Sequence, residues 1–157
     1  MKEYLGVVVI TLLVFTASLS VAQPTLAVGE SRTFTIPAKN FLTDCNIRLV
    51  SGGTYQFTAS GTWYDAKIRT NPDGFTSPDV VMAALESTRR KRNENWFCLI
   101  GEMNIYSIDN FTFRIGKART ITIPEGKSGK FYCWPNDAHA AYGNNSGAIA
   151  LVIRRIR

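Results

Sequence analysis

The feature that most constrains the fold is a succession of short segments in which apolar and polar residues alternate. The clearest segment covers residues 54–63 and is rich in β-branched and aromatic residues, and residues 31–37 alternate in the same way. Turn-forming clusters such as residues 71–74 separate these segments. The pattern predicts an all-β sandwich of about eight or nine short strands.

The remaining strand-like segments complete this pattern. We predict strands at residues 45–49, 96–103, 111–116, 119–124, 130–134 and 148–153. The strand pattern breaks between residues 64 and 78, and residues 78–85 fit either a strand or a short helical turn. Residues 86–95 are predicted to form a charged loop, because they offer no apolar anchor.

The first 22 residues form a segment of their own. Lys2 precedes an almost wholly apolar stretch over residues 4–19, and small residues end at Ala22. This is typical of a secretory signal peptide cleaved after Ala22, and the alternative is an uncleaved transmembrane anchor. We therefore expect a secreted, extracellular protein, or a periplasmic one in a bacterium. Residues 23–157 would be a single domain with no stable membrane insertion.

The chain is basic, with a formal net charge of +6. Much of the excess lies in two clusters, residues 89–92 and residues 154–157. Such clusters are usually a solvated loop and a solvated tail, so they do not predict a groove for nucleic acid. We expect no nucleic-acid partner.

The chain has three cysteines and one histidine. Export would permit one disulfide bond with one thiol left over, and we favour Cys98 with Cys133, although the sequence leaves the role of Cys45 open. With a single histidine and no Cys-x-x-Cys motif, the sequence does not predict a zinc site.

Residues 136–147 concentrate polar groups directly before an apolar strand. Asp137 offers a carboxylate, Asn144 and Asn145 offer amide oxygens, and Gly143 allows the chain to turn. Hard oxygen donors on a folded loop are what Ca²⁺ requires. The same residue types also form ordinary polar turns, so both interpretations stay open here.

Several motifs recur in order along residues 23–157 and resemble one known family. They lie at residues 36–38, 41–49, 53–61, 71–74 and 98–101, followed by Asn136-Asp137 and the specific sequence Tyr-Gly-Asn-Asn-Ser-Gly over residues 142–147. Together they resemble the PA-I galactophilic lectin family, whose members are calcium-dependent galactose-binding β-sandwiches of jelly-roll type. Asn46 stands where the family has glycine, and asparagine can adopt a positive φ there.

The resemblance implies a set of calcium ligands. Side-chain oxygens would come from Asp137, Asn144 and Asn145, and backbone carbonyls from Ala141 and the region of Tyr64 and Asp65. Asp65 could also contribute its carboxylate. Two vicinal sugar hydroxyls would complete the coordination.

The resemblance also implies contacts to the sugar. Asp137 and Asn144 would hydrogen-bond to the hydroxyls that reach the metal, and Asn71 and Asp73 would reach further hydroxyls. Asn71 replaces a family histidine, so galactose specificity does not carry over. Trp134 lies three residues before Asp137 and could stack on a sugar face.

Two functions follow from these expectations. The first is a secreted calcium-dependent carbohydrate-binding protein, with galactose or another vicinal diol as ligand. The alternative is a non-enzymatic extracellular structural or interaction module that has lost sugar binding. We expect no enzyme, because His139 lacks a nucleophile and an orienting acid in any recognisable motif. Single sites of this type bind weakly, so a homo-oligomer would add avidity.

Overall fold

A computed structural model describes residues 23–157, so the predicted leader lies outside the described residues. Among them, no helix is long and apolar enough to cross a membrane. The described chain contains nine strands, one short helix and two 3₁₀ turns. The elements are β1 Ser31–Pro37, β2 Thr43–Leu49, β3 Thr54–Asp65, β4 Ile68–Thr70, α1 Val80–Ala84, the turn Glu86–Thr88, β5 Leu99–Met103, β6 Phe111–Arg114, β7 Ala118–Thr122, β8 Gly129–Pro135, the turn Tyr142–Asn144 and β9 Asn145–Arg155.

The strands form two antiparallel sheets. The order β1-β9-β3-β4 defines one sheet, in which β7 also pairs with the first half of β3. The order β2-β8-β5-β6 defines the other. This arrangement confirms the predicted all-β sandwich. The longest strand pairing is that of β3 with β9, which runs from Tyr55 opposite Arg155 to Asp65 opposite Asn145.

The core lies between the sheets because each strand turns alternate side chains inward. On β3, Tyr55, Phe57 and Trp63 are fully buried, and they face residues such as Phe131 of β8. The Phe57 and Phe131 rings have centroids 5.6 Å apart. Trp63 also donates a hydrogen bond from Nε1 to the Ile36 carbonyl at 3.1 Å, which ties β1 to this core.

The inward faces of β3 and β9 both end in polar residues. The alternation that buries Trp63 also buries Asp65, and the alternation that buries Ile149 also buries Asn145. Asp65 and Asn145 are register partners. One end of an otherwise apolar core is therefore polar, and this end positions the site described below.

The region between β3 and β5 differs from the sequence prediction. The strand pattern does not break at Tyr64, because β3 continues to Asp65 and turns back into β4. This turn uses Ala66 at φ +50°, which lacks the usual glycine or asparagine signal. The undecided stretch after Pro78 is helical, and Asp79 caps α1.

The cysteines contradict the predicted disulfide. All three are free thiols, and the sulfur atoms of Cys45 and Cys133 lie 3.5 Å apart. Cys98 packs instead in a separate small cluster with Ile100 and Trp134. The prediction of a bond between Cys98 and Cys133 is therefore wrong, because Cys133 faces the main core and Cys98 does not.

Two backbone positions adopt the left-handed conformation for which their residue types are suited. Asn46 has φ +49°, as its replacement of a family glycine predicted. Gly74 has φ +74°, and a Cβ there would lie 2.0 Å from the Trp96 carbonyl oxygen. The loop over residues 71–74 is thus packed closely against the segment that leads into β5.

Candidate metal centre

Four oxygen-bearing side chains meet at the polar end of the core. Asp65 ends β3, Asn145 begins β9, Asp137 follows β8, and Asn144 ends the 3₁₀ turn between them. Asp65 is 8% exposed, Asp137 1% and Asn145 0%. The fold therefore assembles the predicted ligand side chains from separate parts of the chain and places most of them out of water.

Within residues 23–157, the two carboxylates accept hydrogen bonds from neutral donors only. Asn145 Nδ2 donates to Asp137 Oδ2 at 2.8 Å, and the Ala138 backbone N–H donates to Asp137 Oδ1 at 2.7 Å. Asn144 Nδ2 lies 3.4 Å from Asp65 Oδ1. None of the ion pairs among residues 23–157 involves Asp65 or Asp137. In the described part of the chain, no ion pair compensates this negative charge.

Burial raises the pKa of each carboxylate. Burial raises the pKa of Asp65 from its ordinary value of 3.8 to about 6, and the charge of Asp137 contributes to the rise. Burial also raises the pKa of Asp137, although the hydrogen bonds from Asn145 and Ala138 oppose it. Two neighbouring buried carboxylates resist simultaneous ionisation, and a bound cation would remove that resistance.

A second feature also fits a cation. The amide oxygen Oδ1 of Asn145 is buried, and no donor from the described part of the chain reaches it. Its amide nitrogen is already used by Asp137 and by the Ala38 carbonyl, at 2.8 and 3.4 Å. A buried oxygen without a donor is costly, and a metal ion is one partner that can satisfy it.

The donor set has the chemistry of a hard-cation site. Residues 23–157 contain no cluster of three or more His, Cys, Asp or Glu side chains that could hold a metal. The oxygens come instead from two carboxylates, two amides and nearby carbonyls, a mixture that suits Ca²⁺ better than Zn²⁺. Ala141 lines the same cavity, and its carbonyl accepts one hydrogen bond from the Asn144 N–H at 3.2 Å.

The site opens into a cavity of about 430 Å³. Asp65, Asp137 and Asn144 form its polar side. The apolar part of its lining comes from Met82, Leu85, Trp96, Ala138, Ala140 and Ala141. Sequence reasoning did not identify this apolar lining. The apolar residues over 80–85 were the available signal for it, because they were not assigned to any core strand.

Asn136 ties the charged segment of residues 86–95 to the loop that carries Asp137. Its Oδ1 accepts from the Lys91 N–H at 2.9 Å, and its Nδ2 donates to the carbonyls of Lys91, Asn95 and Glu94 at 2.9, 2.9 and 3.2 Å. The Arg90 N–H donates to the Asp137 carbonyl at 3.2 Å. These bonds fix the backbone on both sides of the Asp137 side chain.

Arg90 anchors the same segment from its other side. Its guanidinium lies over the Trp134 ring at 3.6 Å and over the Phe41 ring at 3.9 Å from the centroids. It also donates to the Tyr142 hydroxyl at 2.9 Å. The Arg89 and Arg90 side chains are each only 9% exposed. The prediction of a solvated loop is therefore wrong for these two, because aromatic faces replace the missing apolar anchor.

Of the five predicted sugar-contact residues, Asp137 and Asn144 line the cavity, and the other three lie outside its lining. Arg90 covers one face of Trp134, whose Nε1 donates to Glu102 Oε2 at 2.7 Å, so the indole is held inside the domain. Asp73 accepts from Arg114 and from the Lys117 N–H, and Asn71 Oδ1 accepts from the Asp73 N–H at 2.9 Å. None of Trp134, Asn71 and Asp73 lines the cavity above Asp137.

The other predicted residues divide between the cavity and the surface. Tyr64 points outward from β3 and is 38% exposed, so only its backbone faces the site region. His139 lines the cavity, and its ring centroid lies 5.2 Å from that of Phe41. The buried Asp65 side chain lines the cavity, so a second carboxylate lies beside that of Asp137, as the sequence analysis allowed. The strict alternation of β3 could have placed it inward.

Comparison with known proteins finds similarity among solved structures. No family model and no curated protein matches the sequence. Among solved structures, the chain is similar to one described as "EclA N-terminal domain; PllA-like lectin", with a TM-score of 0.58 and 17% identity. The match covers 78% of this chain and 94% of that chain. At this identity the likeness shows a shared β-sandwich fold.

Proposed function

We propose that this protein is a calcium-dependent carbohydrate-binding lectin that is not an enzyme. The observation that carries the proposal is the pair of buried carboxylates, Asp65 and Asp137, which have no cationic partner among residues 23–157 and adjoin the unsatisfied amide oxygen of Asn145. The fold shared with a structure described as a lectin supports the same function.

The roles of the chain's own oxygens follow from their chemistry. Asp65 and Asp137 supply negative charge, while Asn144, Asn145 and the Ala141 carbonyl supply neutral oxygens. When bound, Ca²⁺ attracts two vicinal hydroxyls of a sugar. Asp137 is fixed by its backbone partners and by Asn145, so its carboxylate is held ready and loses little freedom on binding.

We further propose that the protein acts outside the cytoplasm, since residues 1–22 have the pattern of a cleaved secretory leader. Calcium concentrations outside the cytoplasm are high enough to fill a site of modest calcium affinity. A single sugar site of this kind is weak, and assembly into a homo-oligomer would raise the overall affinity by linking several sites.

One observation favours a second candidate function, a calcium-stabilised interaction module without sugar binding. Asp73 is held by Arg114 and Lys117, and Trp134 is covered by Arg90. The resemblance assigns sugar contacts to Asp73 and Trp134, but both side chains already contact other residues of the domain. Such a module would use the metal to fix the loop over residues 136–147.

Titration calorimetry of the purified protein separates these functions. Ca²⁺ is titrated first, and methyl β-D-galactoside and a panel of other methyl glycosides are then titrated with Ca²⁺ present. The lectin requires that both bind and that a chelator abolishes sugar binding. Calcium binding without any sugar response supports the module. If Ca²⁺ does not bind, the loop is a polar turn and the lectin proposal fails.

A further inference from the structure

We propose that Cys45 and Cys133 are a site of oxidative modification, joined by a disulfide bond when the chain folds in an oxidising compartment. In the structure both are free thiols with sulfur atoms 3.5 Å apart, and a disulfide bond is about 2.0 Å long. This inference goes beyond the proposed function and takes from it only the export, because disulfide bonds persist outside the cytoplasm.

Both cysteines project into the main core from neighbouring strands. Cys45 lies on β2 and Cys133 on β8, and these strands pair antiparallel in one sheet. The two residues are 3% and 0% exposed, and both belong to the main core cluster. The sulfur atoms therefore have to approach by only about 1.5 Å to bond, with no change in strand order.

The pairing of β2 with β8 is interrupted next to Cys45. Asp44 pairs with Tyr132 and Arg48 with Lys130, so residues 45–47 lie opposite Phe131 alone. Such a bulge leaves part of the ladder without regular hydrogen bonds. Since β2 also lies at the edge of its sheet, a covalent link at this point would hold a strand whose pairing is incomplete.

The third cysteine lies on the other side of the sheet. Cys98 packs with Ile100 and Trp134 in a separate cluster, and its Sγ accepts a hydrogen bond from Arg114 Nε at 3.4 Å. Because successive residues of a strand point to opposite faces, Trp134 faces away from the core into which Cys133 projects. Cys98 is therefore expected to remain a thiol.

The bond should form before the core closes. Burial raises the pKa of Cys133, and the contact with Cys45 adds to the rise, so the folded protein contains little of the reactive thiolate. Burial also keeps a dissolved oxidant away from both sulfur atoms. The test therefore starts from the unfolded chain.

The reaction is a thiol–disulfide exchange with a small disulfide such as oxidised glutathione. The thiolate of one cysteine attacks a sulfur atom of the oxidant, which forms a mixed disulfide and releases one thiol. The thiolate of the other cysteine then displaces the second thiol and closes the protein disulfide. In total the cysteine pair loses two electrons and two protons, and the oxidant gains them as it becomes two thiols.

The test refolds the purified protein from denaturant in a mixture of reduced and oxidised glutathione. Free thiols are then alkylated in denaturant, and an unreduced digest is analysed by mass spectrometry. We expect a cross-linked pair of peptides that contains Cys45 and Cys133, together with an alkylated Cys98. A bond to Cys98, or alkylation of all three cysteines, would overturn the proposal.

The bond should also raise Tm. It joins positions 88 residues apart and so restricts the unfolded chain, which should make the oxidised protein melt about 10 °C above the reduced protein. Thermal unfolding of the two forms measures this difference. An oxidised protein that melts at or below the reduced one would show that the bond distorts the core and is not native.

Alanine variants assign the effect to the pair. Cys45→Ala and Cys133→Ala should each lose the cross-link and the Tm difference, whereas Cys98→Ala is the matched control with another buried thiol and should keep both. Each variant is compared with itself, oxidised against reduced, so the cost of the lost side chain cancels. A Tm difference that persists in Cys45→Ala or Cys133→Ala would contradict the proposal. If a variant fails to fold, the digest of the unmodified protein still decides the pairing.

Discussion

Two aspartate sites in this domain treat their negative charge in opposite ways. Asp73, in the loop over residues 71–74, is paired with Arg114 at 3.2 Å and with Lys117 at 3.4 Å, and its side chain is 37% exposed. Asp65 and Asp137 are buried and are absent from every ion pair of residues 23–157. Within residues 23–157, basic side chains therefore pair with the exposed Asp73, whose charge water already screens. They do not pair with the buried Asp65 and Asp137, whose charges are more costly.

This contrast indicates that the Asp65 and Asp137 site is the better candidate for binding a cation, whereas the loop of Asp73 is held by ion pairs within the protein. A buried, unpaired carboxylate pair destabilises a fold unless an external group compensates it. A paired, exposed carboxylate needs no such group. The family resemblance assigns ligand roles to both loops, and the charges of their surroundings separate them.

The largest expected effect is that of Asp137→Ala. This substitution removes a carboxylate that is oriented by Ala138 and Asn145, so calcium affinity should fall at least a hundredfold or be lost. Calorimetry with Ca²⁺ measures it. Asp137→Asn keeps the shape of the side chain and should also lose most of the affinity, which guards against an effect of misfolding. Unchanged calcium affinity in both variants would remove the metal site.

Asp65→Asn should change stability and calcium affinity in opposite senses. Without metal at pH 7, the neutral amide removes the cost of a buried charge, and the gain in unfolding free energy should be about 1–2 kcal/mol. With Ca²⁺ present, the lost carboxylate weakens binding and reduces the calcium-dependent rise in Tm. Thermal unfolding with and without chelator measures both. A destabilised metal-free variant would show that Asp65 is already compensated within the protein.

Calcium affinity should depend on pH through Asp65. Its pKa of about 6 in the folded, metal-free protein exceeds the ordinary value of 3.8, so stability conferred by its protonation is present below about pH 4 and is lost as pH rises through 6. Calcium must displace that proton, so affinity should rise from pH 5 to pH 7 and then level off. Calorimetry in buffers of different ionisation enthalpy would detect proton release. In Asp65→Asn this part of the pH dependence should disappear.

The strands were predictable because alternation reports burial directly. Residues 31–37 and 54–63 alternate as half-buried strands should, and both are strands in the structure. The hairpin from β3 into β4 was missed because Ala66 occupies a left-handed position that usually carries glycine or asparagine. Local sequence predicts elements well where the turn residues carry their ordinary signals.

The candidate site was predictable only in part. Asp137, Asn144 and Asn145 lie within one short motif, so sequence alone could group them. The packing of Arg90 between Phe41 and Trp134 could not be predicted from the sequence, because the three residues are far apart along the chain. An arginine-rich stretch is solvated in most proteins, and only the aromatic residues around it change that outcome.

The smallest expected effect is that of Asp73→Asn, and it tests the comparison from the opposite side. Exposed ion pairs contribute little, so losing the contacts to Arg114 and Lys117 should cost less than about 1 kcal/mol of unfolding free energy. Added salt should shrink this difference, since it screens the same pairs in the unmodified protein. Calcium affinity should stay within about twofold of the unmodified protein, because Asp73 does not line the metal cavity. A large loss of calcium binding would mean that Asp73 contributes to the calcium site. Its ion pairs with Arg114 and Lys117 would then have to break when the ion binds.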